Sequence, residues 1–293
     1  MFASFILISY RCHHRLRPTL FLHLAASKKH TTTVLSLSPN PTLASTLSIT
    51  VMPASYDDHN SFVSALTGVH TLISTIGSFY PAEMASSQLV LLTAAKEARV
   101  ARFAPNEFAH LVYDGIDTYA GKKRVWAAAK ASGLEVTKFA TGLFMNGLAM
   151  RSRGSGSCWA GLRPWHFCVN ARVGKADWPG TGGERAAWSE IGDVCRFVVA
   201  ALDLERWEEK VQRRRFLVKV TRRKELVWLP EVPGKRFYHQ TRIVYTSDAG
   251  MVEPTLSEKL KEIRPVSIEE FMRKAWEGVE LGEPTWDEDR TFG

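Results

Sequence analysis

The chain has 293 residues, 45% hydrophobic and 23% charged, enough for one large α/β domain with a smaller appendage and unlike a disordered chain. No apolar stretch approaches the roughly 20 residues that a membrane-spanning helix needs. The net charge of +8 is local: residues 1–56 carry five Lys or Arg and no acid, and residues 210–242 carry eleven against Glu225 and Glu231. The remainder is net acidic, which confines any polyanion binding to those two segments.

Cys12, Cys158, Cys168 and Cys195 show no Cys-x-x-Cys spacing, and the histidines form no ligand cluster. Reduced thiols, a cytoplasmic location and no metal are therefore expected.

Residues 1–30 read as a divergent N-terminal segment. Phe2 to Ile8 is an apolar run, basic residues follow to Arg17, and Leu20 to Ala26 is apolar again, a flank order that suits a signal peptide poorly. From Thr31 the punctuation is regular. Thr31 to Leu37 predicts a strand closed by Ser38-Pro39-Asn40, and Leu47 to Met52 a second. Val69 to Ile76 lacks alternation, as a strand covered on both faces should. Pro81 opens a helix, Arg102 to Ala104 is a strand closed by Pro105, and Asp117 or Thr118 caps a helix ended by Gly133. Glu135 to Thr141 predicts a further strand. This order implies a parallel, doubly wound sheet with right-handed crossovers.

Residues 151–183 are rich in Gly, Trp and Pro without a period. Trp188 to Leu204 predicts an amphipathic helix, and Ser267-x-x-Glu270 a capping box for a last helix through Trp276. The basic run Gln212 to Lys224 fits either a nucleic-acid patch or a solvated face, and the second is expected because no nucleic-acid motif surrounds it.

Five strings carry a family likeness. They are Tyr56-Asp57-Asp58, Gly68 to Ser74 (GVHTLIS), Arg102 to Phe108 (RFAPNEF), Ser132 to Thr137 (SGLEVT) and Thr141 to Phe144 (TGLF). In that order and spacing the chain resembles the NmrA-like and isoflavone-reductase-like group of atypical short-chain dehydrogenases/reductases, with Asn106 where that group usually has Ser. The resemblance implies a Rossmann-type, NAD(P)-binding domain over 31–150 and a smaller substrate-binding lobe with a C-terminal helix over 151–293. The group opens with a strand and a Gly-x-x-Gly-x-x-Gly turn, whose backbone N–H groups approach the pyrophosphate. This chain has no glycine before Gly68, and its later glycines, Gly154-x-Gly156 and Gly180-x-Gly182-Gly183, read as loops. The first strand and the glycine turn are therefore expected to be absent.

For catalysis two assignments remain open. Tyr119 and Lys123 have the Tyr-x-x-x-Lys spacing of ordinary short-chain dehydrogenases, in which lysine lowers the phenol pKa. Isoflavone-reductase-like enzymes instead use one lysine eleven residues before the helix-ending glycine, which the resemblance places at Lys122, the preferred residue. The resemblance also implies that Asp57, Thr75, Ile76, Gly77, Pro105, Asn106, Glu107, Phe108, Lys122, Thr141, Gly142, Leu143 and Phe144 bind NADP (or NAD). Phe144, Trp159, Trp165, Phe167 and Trp178 are candidates for an apolar pocket, with core packing the plainer use of each.

The expected function is NAD(P)H-dependent reduction of a small aromatic or secondary-metabolite substrate. The alternatives are a dinucleotide-sensing regulator that binds a protein partner without turnover, and a degenerate reductase lacking the phosphate loop. Neither nucleic acid nor membrane is an expected partner.

Overall fold

The computed structural model describes residues 4–9, 16–36, 41–149, 152, 169–171, 175–176, 184–207, 233–245, 250–252 and 255–280. Six strands, β1 (Ser4–Ser9), β2 (Thr31–Ser36), β3 (Thr50–Pro53), β4 (Thr71–Ser74), β5 (Arg102–Ala104) and β6 (Glu135–Val136), form one parallel sheet in the order β3-β2-β1-β4-β5-β6. That is the expected doubly wound architecture, with the order reversing between β1 and β4.

The expectation of a missing first strand is corrected. Ser4–Ser9 lies at the centre of the sheet, with Ile6 opposite both Thr33 of β2 and Leu72 of β4. A central strand in a doubly wound sheet needs no polar face, so its run of Phe5 to Ile8 carries no alternation to announce it. α1 (Leu16–Ser27) follows β1 and belongs to the same layered unit.

Alternating strand residues feed two cores. Val34, Ile73 and Ala104 face Leu20, Phe21 and Leu24 of α1, together with Ile191, Val194, Phe197 and Val198 of α6 (Ile191–Leu202). Leu35, Leu72 and Phe103 face the other way. They meet Phe62 and Leu66 of α3 (His59–Leu66), Leu91, Leu92 and Ala95 of α4 (Pro81–Glu97), and Trp126 and Ala129 of α5 (Tyr119–Lys130). Neighbouring side chains on a strand point to opposite faces, so each dipeptide contributes to both layers.

Several boundaries differ from expectation. Leu47 ends α2 (Pro41–Leu47) instead of opening a strand, because Pro41 starts a helix there and Ser48, at φ 51°, stops it. β6 stops after two residues because β5 offers only Arg102–Ala104 before Pro105, which has no N–H for a ladder. Trp188–Ser189 (β10) pairs in parallel with Leu143–Phe144 (β7) rather than joining α6, whose cap is Glu190 accepting from the Asp193 N–H at 2.9 Å. The capping box forms as expected at α9 (Ile268–Trp276), with Ser267 and Glu270 bonded reciprocally at 3.0 and 2.9 Å. The remaining elements are β8 (Val169–Asn170), β9 (Lys175–Ala176), α7 (Pro233–Tyr245) and α8 (Thr255–Lys259). Residues 212–224 lie outside the described residues, as do both later glycine clusters and Trp159, Trp165, Phe167 and Trp178.

Arg102 ties the sheet to α6. It is 6% exposed, with Nε donating to Glu135 Oε2 at 2.8 Å, Nη1 to the Leu202 carbonyl at 3.4 Å and Nη2 to the Glu205 carbonyl at 2.6 Å. Its guanidinium lies 5.4 Å from the centroid of the Trp207 ring. Arg102→Ala leaves a carboxylate and two carbonyls without their donor. It is expected to lower the unfolding free energy by about 3 kcal/mol, the low end for breaking such a pair because Glu135 still reaches solvent. Arg102→Lys recovers part of this at most, since an ammonium lacks the planar fork. Urea unfolding of the three proteins reads both effects, and equal midpoints would refute them.

Candidate active site

All six strands run the same way, so the segments leaving β1, β4 and β5 emerge at one edge of the sheet, where open α/β sheets hold ligands. Hydrogen bonds lock the β4 and β5 exits together. The Asn106 N–H donates to Gln88 Oε1 of α4 at 2.7 Å, and Asn106 Nδ2 donates to the Ile76 carbonyl at 2.5 Å. Gln88 is fully buried, which explains its place on the inner face of α4. Further on, the N–H groups of Thr141 and Gly142 both donate to the Ala109 carbonyl, at 2.9 and 3.1 Å. Gly142 adopts φ +67°, and a Cβ there would stand 2.1 Å from the Ala187 carbonyl oxygen, so only glycine lets these segments meet.

The α5 helix is set by contacts at its first turn. Thr118 does not cap it through its side chain. Its Oγ1 donates instead to the Phe79 carbonyl at 2.9 Å, while Asp117 pairs with Arg236 of α7 at 2.6 Å. A Cβ on Gly121 would come within 2.4 Å of the Pro81 carbonyl oxygen and 2.9 Å of Met84 Cβ, so the glycine allows α5 to pack directly on α4. This orientation buries Tyr119 and Lys122, at 4% and 5% exposure. The Lys122 Nζ lies 4.7 Å from the centroid of the Tyr119 ring. Lys123 points outward and bonds Asp114 at 3.2 Å with its side chain 62% exposed. Tyr119 and Lys123 therefore do not form a buried pair, and Lys122 is the lysine that the fold brings inside.

Around Lys122 stand Glu107, expected at the cofactor, and groups that the sequence reading did not single out. Glu107 is fully buried, and its Oε1 accepts from the Tyr113 hydroxyl at 2.9 Å. Burial raises the Glu107 pKa above the usual carboxylate range, while Lys122, Lys138 and Tyr113 pull it back down. The Lys138 Nζ, on the segment after β6, donates to that same Tyr113 hydroxyl. Burial pushes the Tyr113 and Tyr119 phenols up, with Glu107 adding to both, so both stay protonated at neutral pH.

His110 completes the cluster. It is fully buried, 5.0 Å from the Tyr119 ring and 4.9 Å from the Tyr245 ring, centroid to centroid. Burial first, and Lys122 second, push its pKa down to about 3, so the imidazole is neutral. Its Nδ1 accepts from the Val112 N–H at 3.1 Å, which leaves the proton on Nε2. That Nε2–H has no partner among the described residues. A buried donor without an acceptor costs about 1–3 kcal/mol, a cost that a ligand oxygen would relieve.

A pH prediction follows from His110. Above the ordinary histidine pKa of 6.5 both folded and unfolded chains hold it neutral and its contribution to stability is complete. Between 6.5 and about 3 only the unfolded chain takes the proton, so stability falls as pH falls. At about 1.4 kcal/mol per pH unit, wild type should lose roughly 2 kcal/mol more than His110→Gln between about pH 7 and pH 5. Urea unfolding of both proteins at the two pH values reads the difference, and parallel losses would refute it.

The other expected site residues divide into groups. Thr75, Ile76 and Gly77 lie at the β4 exit and Pro105, Asn106 and Glu107 at the β5 exit, where Asn106 ties the two together and Glu107 lies within the field of Lys122. Phe108 turns into the core and stacks on Phe139 at 6.0 Å between centroids. Thr141 and Gly142 border the β5 exit through Ala109, whereas Leu143 and Phe144 pair with Trp188 and Ser189. Asp57 sits exposed after β3, the strand at the opposite edge of the sheet, and is not part of the Lys122 cluster. His110, Tyr113, Lys138 and Tyr245 were missed. Only Lys138 left a trace in the sequence, as a charge inside a run that otherwise reads as buried strand. Among the described residues no three His, Cys, Asp or Glu could hold a metal ion, and no helix is long and apolar enough to cross a membrane.

Comparison with known proteins places this arrangement. Oxidoreductase BOA1 of Botryotinia fuckeliana is 32% identical over 64% of this chain and 63% of its own length. A bifunctional pinoresinol-lariciresinol reductase of Thuja plicata is 28% identical over 60% of this chain and 56% of its own. The chain thus spans about three-fifths of the length of these relatives. Among solved structures, that of AtPrR2 with NADP+ and (+)pinoresinol superposes with a TM-score of 0.68 at 18% identity, covering 94% of this chain and 99% of that one, a likeness of fold. The profile of the NmrA-like family matches residues 20–229. The chain belongs to the NmrA-like family.

Proposed function

We propose that the protein is an NADPH-dependent reductase of a small aromatic or secondary-metabolite molecule, with Lys122 handling the substrate proton. The observation that carries this reading is the burial of Lys122 close enough to His110 to depress its pKa, at the carboxyl edge of the sheet, the His110 Nε2–H having no acceptor among the described residues. The relatives named as reductases and oxidoreductases support the reaction class. Bound NADPH (or NADH) would supply hydride. Lys122 Nζ gives or takes the proton at the substrate oxygen, and the His110 Nε2–H donates a hydrogen bond to a ligand oxygen. Phe79, Tyr119 and Phe237, with centroids 5.3 and 6.0 Å apart across Phe237, form an aromatic wall suited to a flat apolar substrate.

The cofactor-facing segments in this proposal are 75–77 and 105–107, with Thr141 and Gly142 beside them and Asp57 toward the far end of the dinucleotide. The domain reading becomes a cofactor-binding domain that begins at β1 and runs to about residue 150, and a substrate lobe over 151–293. One feature favours a second reading. Residues 10–15, which join β1 to α1, contain no glycine, and a weakened phosphate site would suit a dinucleotide sensor or a degenerate reductase.

Incubation with NADPH and a panel of quinones, aromatic carbonyls and benzylic ethers, followed by product analysis, tests the proposal. Reduced product is expected. Cofactor binding without product from any member would replace the reductase by the sensor, and no binding at all would leave the degenerate form.

A further inference from the structure

Glu107 is one carboxyl shared by two buried lysines. Lys122 reaches its field from α5, and Lys138, 5% exposed, reaches it through the Tyr113 hydroxyl, which accepts from Lys138 Nζ and donates to Glu107 Oε1. The Lys138 ammonium also lies 4.2 Å from the centroid of Trp126 and 4.5 Å from that of Tyr113. Two ring faces at such distances stabilise a desolvated cation. Lysine is almost never buried without partners, and Lys138 stands between buried Thr137 and Phe139, where an apolar residue would pack more cheaply.

We propose that Lys138 is a positioning residue which, through the Tyr113 hydroxyl, draws the charge of Glu107 away from Lys122 and so sets the pH at which Lys122 releases its proton. The consequence for catalysis rests on the reductase reading, but the coupling itself does not. Glu107 and His110 of the β5 exit lie within the field of Lys122, and its Nζ stands over the Tyr119 ring of α5. Behind them, Tyr113 and Lys138 (the latter from the segment after β6) bond on to Glu107, and Tyr245 of α7 packs on His110. Of these His110 is neutral and the phenols are protonated, so Glu107, once ionised, and Lys138 are the groups that act on Lys122 by charge. Removing the Lys138 cation takes away a like charge and leaves the carboxylate to Lys122, which holds the Lys122 proton more firmly. Removing the carboxylate leaves two like charges and acts in the opposite sense.

The test is a direct titration by nuclear magnetic resonance of the full chain made with isotope-labelled lysine, the Lys122 signal being identified by its loss in Lys122→Arg. Lys138→Met should raise the Lys122 midpoint by on the order of 1 pH unit, and Glu107→Gln should lower it by a similar amount. Lys138→Arg, which keeps the charge, should stay near wild type. Circular dichroism confirms that each variant folds. Should Glu107→Gln not fold, the comparison of Lys138→Met with Lys138→Arg and wild type decides alone. Equal midpoints in those three, or a shift in the same direction for Lys138→Met and Glu107→Gln, would overturn the proposal. Turnover is measured separately, so a protein that reduces nothing defeats the reductase reading while the titration still settles the coupling.

Discussion

Lys122→Ala is expected to lower kcat by about 10²–10⁴-fold while changing NADPH affinity little, because a positioned acid or base contributes that much to the chemical step. The asymmetry follows from where the fold puts the side chain. Lys122 is buried on the inner face of α5, against the Tyr119 ring and within the field of Glu107. Its neighbour Lys123 is solvated and paired with Asp114 on the surface. Exposed ion pairs of that kind are worth about 0–1 kcal/mol, so Lys123→Ala should leave kcat within about twofold. Steady-state kinetics and cofactor titration of both variants read the ranking. A large loss for Lys123→Ala with a small one for Lys122→Ala would return the chemistry to the Tyr119–Lys123 pair.

Restoring a glycine turn between β1 and α1 should strengthen dinucleotide binding by about 10²–10⁶-fold. A pyrophosphate at a helix N-terminus gains charge-assisted hydrogen bonds worth roughly 1.5–3 kcal/mol each. Two or three such bonds amount to about 3–9 kcal/mol, at 1.4 kcal/mol per decade of affinity. The chain here reads Tyr10-Arg11-Cys12-His13-His14-Arg15, immediately after a strand now known to be central. Tyr10→Gly, His13→Gly and Leu16→Gly together recreate the glycine spacing of the family. Isothermal titration with NADPH should find a millimolar or weaker Kd for the natural chain and a much tighter one for the triple variant. A micromolar Kd for the natural chain would show that this segment holds phosphate without glycine.

Much of the sheet is legible in the sequence. Residues 69–76, 81–97 and 102–104 carry apolar runs bounded by Gly68, Pro81 and Pro105, and local punctuation of that kind survives folding. The capping box at Ser267 and Glu270 is equally local, since both partners lie within one turn. β1 was misread for a physical reason. Its run is short, a strand covered on both faces does not alternate, and the glycines that would have marked its end are absent. β6 was drawn too long because its end is set by β5, a partner more than thirty residues away in the chain.

The sequence by itself determined the parallel, doubly wound class and the NmrA-like strings, because these rest on residue order and on spacings of a few positions, while it left Lys122 and the Tyr119–Lys123 pair both open. Only the tertiary structure decided that Lys122 points inward and Lys123 outward, since both sit in one helical turn and nothing but the packing of Gly121 on Pro81 and Met84 tells them apart. It alone brought Glu107, His110, Tyr113 and Lys138 into one buried cluster, joining the loop after β5 to the segment after β6. It alone left a neutral His110 with a donor and no acceptor among the described residues. Charges and protonation states of this kind depend on burial and on neighbours distant along the chain, and neither is written into local sequence.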